Sequence, residues 1–254
     1  MNADNGIIGY HNLVTSLNIS ASDEDPDFPI INCATPDTYN RWVSDSDDEQ
    51  TITISIDYDE EIDYVGIARH NWGTGQVNVL MEANIAGVWT ELAPAFIPED
   101  DTPILLRFEP EVVLGIRITL TPPASILPSA AVIYTGKLLI LPRRIYVGYT
   151  TIIDGVDTQA TNGMSESGEF LGRVITGESA STGFSMQNID ALWYRQYMRE
   201  FIRAGKERPF FFGWRPSSYP REVGYCWLTG NPKPNNQRSN GMMEITLQFG
   251  GIAL

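Results

Sequence analysis

The sequence predicts a mainly β protein of two β-sandwich domains, residues 1–142 and 143–254, the second carrying one flanking α-helix near 190–204. Three observations carry that expectation. Short runs alternate apolar and polar residues from one end of the chain to the other, the two-residue period of a half-buried strand. Clusters of turn-forming residues separate these runs at the spacing of an antiparallel sandwich. A single stretch departs from the pattern, with apolar residues recurring every three or four positions.

In chain order, Thr51-Ile52-Thr53-Ile54-Ser55-Ile56 places its isoleucines on one face. Val77-Asn78-Val79-Leu80-Met81-Glu82, Gly115-Ile116-Arg117-Ile118-Thr119-Leu120 and Met243-Glu244-Ile245-Thr246-Leu247-Gln248-Phe249 repeat the period. Asp57-Tyr58-Asp59, Gly73-Thr74-Gly75, Pro98-Glu99-Asp100-Asp101 and Pro122-Pro123 supply the turns between them. The domain boundary is expected at Leu141-Pro142-Arg143-Arg144, where the charge balance changes and proline is awkward in a central strand. A first strand of the second domain is expected over 143–148, and long loops over 151–168 and 231–240.

The helical stretch runs from Asp190 to Ala204, with Trp193, Tyr194, Tyr197, Met198, Phe201 and Ile202 on one stripe. Asp190 suits the N-cap, and Gly205 suits the left-handed residue after the last turn. Arg195, Arg199 and Arg203 line another face, the last two near the C-terminal end, where positive charge complements the helix dipole. An amphipathic helix lying on a sheet with its arginines in water accounts for this row. The sharper reading pairs the row with acidic surfaces of neighbouring subunits.

Composition narrows the classes of function. Hydrophobic residues make up 43% of the chain, enough for packed cores. No run approaches the ~18 apolar residues that read as a membrane span, and Met1-Asn2-Ala3-Asp4-Asn5-Gly6 has neither the basic start nor the apolar core of a signal peptide. No membrane partner is expected, and synthesis and assembly are expected in a cytoplasm. Cys33 and Cys226 stand far apart in sequence with no Cys-x-x-Cys; a disulfide between them is open on paper, but in a reducing compartment the expectation is two unpaired, buried thiols.

Residues 1–142 hold 22 acidic against 5 basic residues, a net −17, and residues 143–254 hold 10 against 12, a net +2. Such acidity disfavours a reader of DNA sequence, which needs a basic face. It suits a solvated surface, or a wall past which DNA slides.

An active site is not expected. His11 and His70 are the only histidines, and phosphate-loop, dinucleotide and Gly-x-Ser-x-Gly patterns are all missing. No cofactor and no metal is called for. The acidic loops at 23–27 and 45–49 hold oxygens of the kind calcium takes, but in no EF-hand spacing, and solvated loops account for them. His70-Asn71-Trp72 stands at a strand end, where His70 and Trp72 are candidate glycan contacts beside the alternative of a packing cluster.

The order of segments carries a family resemblance in each domain. Tyr39-Asn40-Arg41-Trp42-Val43-Ser44 precedes a strand, followed by Ile62-Asp63-Tyr64-Val65-Gly66-Ile67 and then by Val77-Asn78-Val79 and Val88-Trp89-Thr90-Glu91-Leu92. Over residues 10–142 this resembles the discoidin, galactose-binding-like jelly rolls. Trp42 and Trp89 are expected as buried anchors. The resemblance implies sugar binding by loops at one end, without assigning residues.

In the second domain, strand Gly183-Phe184-Ser185-Met186-Gln187, the helix, and Pro209-Phe210-Phe211-Phe212-Gly213-Trp214 resemble the distal-tail and minor-tail proteins of long-tailed bacteriophages, with their tail-tube-like hub. The resemblance implies a structural virion protein of the tail tip or baseplate, assembled in the host cytoplasm. It would form a ring of copies, a hexamer or a trimer, around the DNA channel, against the tail tube and other tail-tip proteins.

Phe210, Phe211, Phe212 and Trp214, with Arg195, Arg199 and Arg203, are the candidate subunit interface. Consecutive phenylalanines on a strand face both sides, so one face needs cover from elsewhere. The alternative function is a carbohydrate-binding adhesin that recognises host glycans through the jelly roll.

Overall fold

A computed structural model describes residues 4–145, 148–237 and 241–252. The chain is mainly β, 45% strand against 8% helix. The first half contains β1 (Ile7–Gly9), β2 (Ile19–Ala21), a 3-10 turn (Ile30–Ala34), β3 (Trp42–Val43), β4 (Gln50–Ser55), β5 (Ile62–Ala68), β6 (Asn78–Ile85) and β7 (Val88–Glu91). It continues with β8 (Ile104–Glu111), β9 (Gly115–Thr121), β10 (Ser129–Ala130), β11 (Val132–Gly136) and β12 (Leu139–Ile140). The second half contains β13 (Val156–Met164), β14 (Phe170–Asp190), a helix, β15 (Phe210–Gly213), β16 (Val223–Leu228), β17 (Asn235–Asn236) and β18 (Met242–Ile252).

Two sheets enclose the first core. One runs β2-β4-β9-β6-β7 and the other β11-β5-β8, all neighbours antiparallel, with the short pair β10-β3 beside them. The alternation read from the sequence places Ile52 and Ile54 of β4, Ile116, Ile118 and Leu120 of β9, and Val79 and Met81 of β6 inside. Across from them stand Val65 and Ile67 of β5 and Ile133 of β11. Trp42 is fully buried there, and its indole N–H donates to the Asp23 carbonyl at 3.1 Å. Trp89 is only half-buried, with the Arg117 guanidinium 4.4 Å above its ring, so it caps the outer sheet face instead of anchoring the core.

The large sheet runs β12-β1-β15-β16-β18-β14-β13, with β17 against β18. Its membership differs from the expected boundary at 142. Ile7 and Ile8 pair with β12 on one side and with Gly213 and Phe212 of β15 on the other, so both ends of the first segment are built into the second sheet. Residues 143–145 and 148 belong to no strand, and Tyr146 and Val147 of the strand expected there lie outside the described residues. Part of the expected loop 151–168 is strand β13, which forms a long ribbon with β14. The glycines, threonines and serines of that segment gave no clear period to read.

The three phenylalanines divide between two cores. Phe210 and Phe212 point into the second core with Phe184, Phe201 and Phe249, where Phe184 and Phe212 stack with ring centroids 5.4 Å apart. Phe211 points the other way, against Tyr64, Ala68, Val132, Tyr134 and Tyr225. Strand β5 is therefore buried on both faces, one toward each sheet. Contact there is close: a Cβ on Gly66 would lie 2.7 Å from the Phe211 ring. The face expected to await a neighbouring subunit is covered by the chain's own first half, because β5 and β11 lie across it.

The helix is one continuous run, residues 191–205, in three parts: α1 (Ala191–Trp193), a π-helical turn (Tyr194–Met198) and α2 (Arg199–Gly205). Asp190 caps it as expected, its Oδ1 accepting the amides of Leu192 and Trp193 at 2.8 and 2.9 Å. Tyr194, Met198, Phe201 and Ile202 are buried, while Trp193 is half-buried and Tyr197 exposed. No helix among the described residues is long and apolar enough to cross a membrane. Cys33 and Cys226 are free and buried, and burial pushes the Cys33 thiol up to about 12 and that of Cys226 above it.

Candidate functional site

The connecting loops at one end of the first sandwich surround a cleft of about 1070 Å³. Four segments build it: residues 27–41 between β2 and β3, 69–76 between β5 and β6, 99–101 before β8, and 129–131 around β10.

The first segment is pinned from below. Ile30 and Cys33 of the 3-10 turn are buried, and the Cys33 thiol donates to the Ala130 carbonyl at 3.1 Å. The Glu24 carboxylate accepts the Ile30 amide at 2.7 Å, and Asn32 Nδ2 donates to the Arg41 carbonyl at 2.9 Å. Asp37 then organises the lip of the cleft. Its Oδ1 accepts the Tyr39 amide at 2.7 Å and its Oδ2 accepts Asn40 Nδ2, a turn typical of an aspartate bonding two residues on. These bonds, led by the Tyr39 amide, hold the Asp37 carboxyl below the usual carboxylate range. The result is an aromatic side chain held out in water: Tyr39 is 91% exposed. Beside it, the Arg41 guanidinium stands 5.6 Å over the Phe28 ring.

The second segment is equally fixed. Asp101 Oδ1 accepts the amides of Gly73 and Thr74, each at 2.9 Å, while Asp100 Oδ1 accepts the Thr102 amide at 3.0 Å. A Cβ on Gly73 would sit 2.1 Å from the Asp100 carbonyl oxygen, so only glycine fits this approach. The Asn71 side chain bridges to the fourth segment, donating to the Leu127 carbonyl and accepting the Ser129 amide, both at 2.8 Å. Thus the carboxylates of Asp100 and Asp101 are engaged by local donors, and the cleft has a preformed floor.

His70 and Trp72, the candidate glycan contacts, are drawn into this floor. Trp72 is fully buried in the sandwich core and presents no surface. His70 is 5% exposed. Its Nδ1 accepts the Trp72 amide at 3.2 Å, which leaves Nε2 to carry the proton donated to the Thr102 carbonyl at 2.9 Å. Burial lowers its pKa, so the neutral ring is favoured. His70 lines the cleft, but both ring nitrogens serve the scaffold. Phe28, Tyr39 and Arg41 are the side chains sequence reasoning missed. The signal for Tyr39 and Arg41 was an aromatic beside amide and guanidinium groups in a turn-rich segment, Pro36-Asp37-Thr38-Tyr39-Asn40-Arg41.

The expected subunit-interface residues do not line this cleft and do not form one surface. Phe210, Phe211 and Phe212 are buried within the chain. Trp214 is half-buried, stacked on Tyr219 at 5.6 Å and donating its indole N–H to Glu222. Arg195, Arg199 and Arg203 are exposed on the helix, where Arg195 Nη1 donates to the Ala191 carbonyl at 2.7 Å. Among the described residues, no group of three or more His, Cys, Asp or Glu side chains forms a metal-ligating cluster. In the acidic loops, Asp23 Oδ2 accepts Ser46 Oγ at 2.9 Å, and Asp25 Oδ1 accepts the Asp27 amide at 2.8 Å.

No protein-family model matches this chain, and no curated protein matches it. Structural neighbours include carbohydrate-binding modules, which match over about half of the chain. One is chitosan-binding module 1 of a chitosanase/glucanase from Paenibacillus sp. IK-5, at 14% identity and a TM-score of 0.44, covering 49% of this chain and 98% of that one. A pectin-binding carbohydrate-binding module is 18% identical, with a TM-score of 0.41, covering 49% and 90%. The family 32 carbohydrate-binding module of NanJ from Clostridium perfringens, solved with galactose, is 17% identical, with a TM-score of 0.40, covering 48% and 92%.

Proposed function

We propose that the first half of the chain is a saccharide-binding module and that the loop-end cleft is its site. One observation carries this reading: an exposed aromatic ring, Tyr39, stands at the lip of a rigid polar cleft beside an arginine. A sugar ring offers an apolar face for stacking and a rim of hydroxyls for hydrogen bonds. Tyr39 supplies the platform, and Thr38, Asn40 and Arg41 supply polar groups around it. Because the turn at Asp37 holds these groups in place, little ordering cost falls on binding. The role is recognition without catalysis.

Calorimetry of the full chain against a panel of neutral, amino and acidic oligosaccharides tests this. Saturable binding is expected, weakened about tenfold or more, ~1.4 kcal/mol, by Tyr39→Ala or Arg41→Ala. No binding across the panel, or binding indifferent to both substitutions, refutes the site.

A second reading, a structural subunit of a bacteriophage tail tip, is favoured by one feature of the other half. The ribbon of β13 and the outer part of β14 projects beyond the sheet with most of its side chains in solvent, as an assembly arm does. Electron microscopy of particles carrying the protein tests it, by locating or failing to locate the chain in a tail.

A further inference from the structure

The ribbon and the helix are uncovered surfaces of matching character at different places on the chain. The ribbon pairs Val156–Met164 with Phe170–Ala180, while β18 takes up β14 only from Ala180 onward. Beyond that row the ribbon has two strands, marginal by itself in water. Its apolar residues stand largely in solvent. Phe170, Leu171, Val174 and Ile175 are 57–70% exposed, and alternation places Val174 on one face and Ile175 on the other. Contiguous apolar exposure of this kind marks an interaction surface. Its charge is acidic: residues 156–179 hold four carboxylates and one arginine, net −3.

The helix carries the opposite sign. Residues 191–208 hold five basic residues against two glutamates, net +3. Leu192, Arg195, Arg199 and Arg203 follow one outward stripe, and Leu192 is 75% exposed.

The two surfaces of one chain are kept apart by the sheet. Gly205, at the helix end, lies against Leu228. Leu228 shares its row with Phe249, which pairs with Thr182. The helix thus runs back along β14 and stops at that row. Val174 lies eight residues farther out, roughly 25 Å at the rise of a strand, and Phe170 roughly 40 Å. The ribbon therefore extends past the end of its own helix and does not lie along it.

We propose that copies of this chain associate head to tail, the ribbon of one copy lying on the outward helix face of the next. Apolar ribbon side chains cover Leu192 and the arginine stems, and the ribbon carboxylates meet the guanidinium row. Such a contact uses different surfaces on the two copies, so it extends to a ring or a filament. Opposite charge selects a second copy, whereas an anionic membrane surface would repel the ribbon.

Light scattering of the full chain over a concentration series at low salt reads the association. The average mass is expected to at least double, and to fall back with added salt. Leu171→Asp with Val174→Asp should leave a monomer, as should Arg199→Glu with Arg203→Glu. Glu169→Arg with Glu178→Arg reads the ribbon by charge alone. All these positions are solvent-exposed, so circular dichroism should be unchanged. The decisive arm mixes the ribbon and helix variants. Each retains the surface the other lacks, so a 1:1 dimer that grows no further is expected. A wild-type chain that stays monomeric throughout, association that survives either variant, or a mixture that stays monomeric overturns the proposal.

Discussion

Strand β15 and the ribbon hold similar apolar residues in opposite circumstances. Phe210, Phe211 and Phe212 are at most 1% exposed, while Phe170 is 64% exposed and Leu171 70%. Both segments are β-strands whose alternate residues point to opposite faces, and both have apolar side chains on each face. The difference lies in what surrounds the strand. On β15, the second core takes one face and the sheet of β5 and β11 takes the other. Among the described residues the ribbon has passed beyond its neighbouring elements, and no third strand or second layer meets it. Burial is a property of the neighbourhood and not of the residue.

Substitutions in the two regions should separate accordingly. Phe211→Ala should cost about 3–5 kcal/mol in chemical unfolding, since it opens a cavity at the junction of the two halves. A cost near 1 kcal/mol would mean that the halves are loosely joined. The same junction holds Asp63, which accepts the Leu138 amide at 2.7 Å and whose pKa burial raises to about 6. The folded pKa is above the unfolded one, so its contribution is present below the ordinary carboxyl value of 3.8 and lost as pH rises through about 6. Asp63→Asn should therefore gain on the order of 2 kcal/mol at pH 7, with the gain fading toward pH 4. Unfolding curves at the two pH values check this, and an equal effect at both would remove the burial argument.

On the ribbon, Phe170→Ser should change the stability of the monomer by no more than about 0.5 kcal/mol. A loss comparable to that of Phe211→Ala would show the ribbon packed on its own chain. The smallest effect is expected at the exposed ion pair of Arg221 and Glu99, where Arg221→Ala should change the free energy of chemical unfolding by about 0.5 kcal/mol or less.

Legibility followed the period of the sequence. Strands β4, β9 and β18 were readable because one face is buried and the other wet, so their isoleucines and leucines alternate with threonines. The helix was readable from its stripe and from Asp190. The ribbon was not: Val156-Asp157-Thr158-Gln159-Ala160-Thr161-Asn162-Gly163-Met164 has no buried face to impose a period. The cleft was half legible. His70 and Trp72 were correctly placed at a strand end, but a strand end has an inside and an outside. The tryptophan went inward with its large apolar surface, while the exposed aromatic came from Tyr39, on a segment far away in sequence.

By itself the sequence determined the mainly β class, the inward and outward faces of the strands with one buried face, the capped helix and the charge imbalance between the halves. These follow from local pattern and composition, and need no knowledge of what touches what. Only the tertiary structure decided that Ile7–Gly9 joins the second sheet, that Phe211 is covered by the first half, and that Tyr39 and Arg41 meet the loops around His70 and Asn71. Each is a contact between segments distant in sequence. Periodicity can say that a face needs cover, but only the packed chain says what covers it.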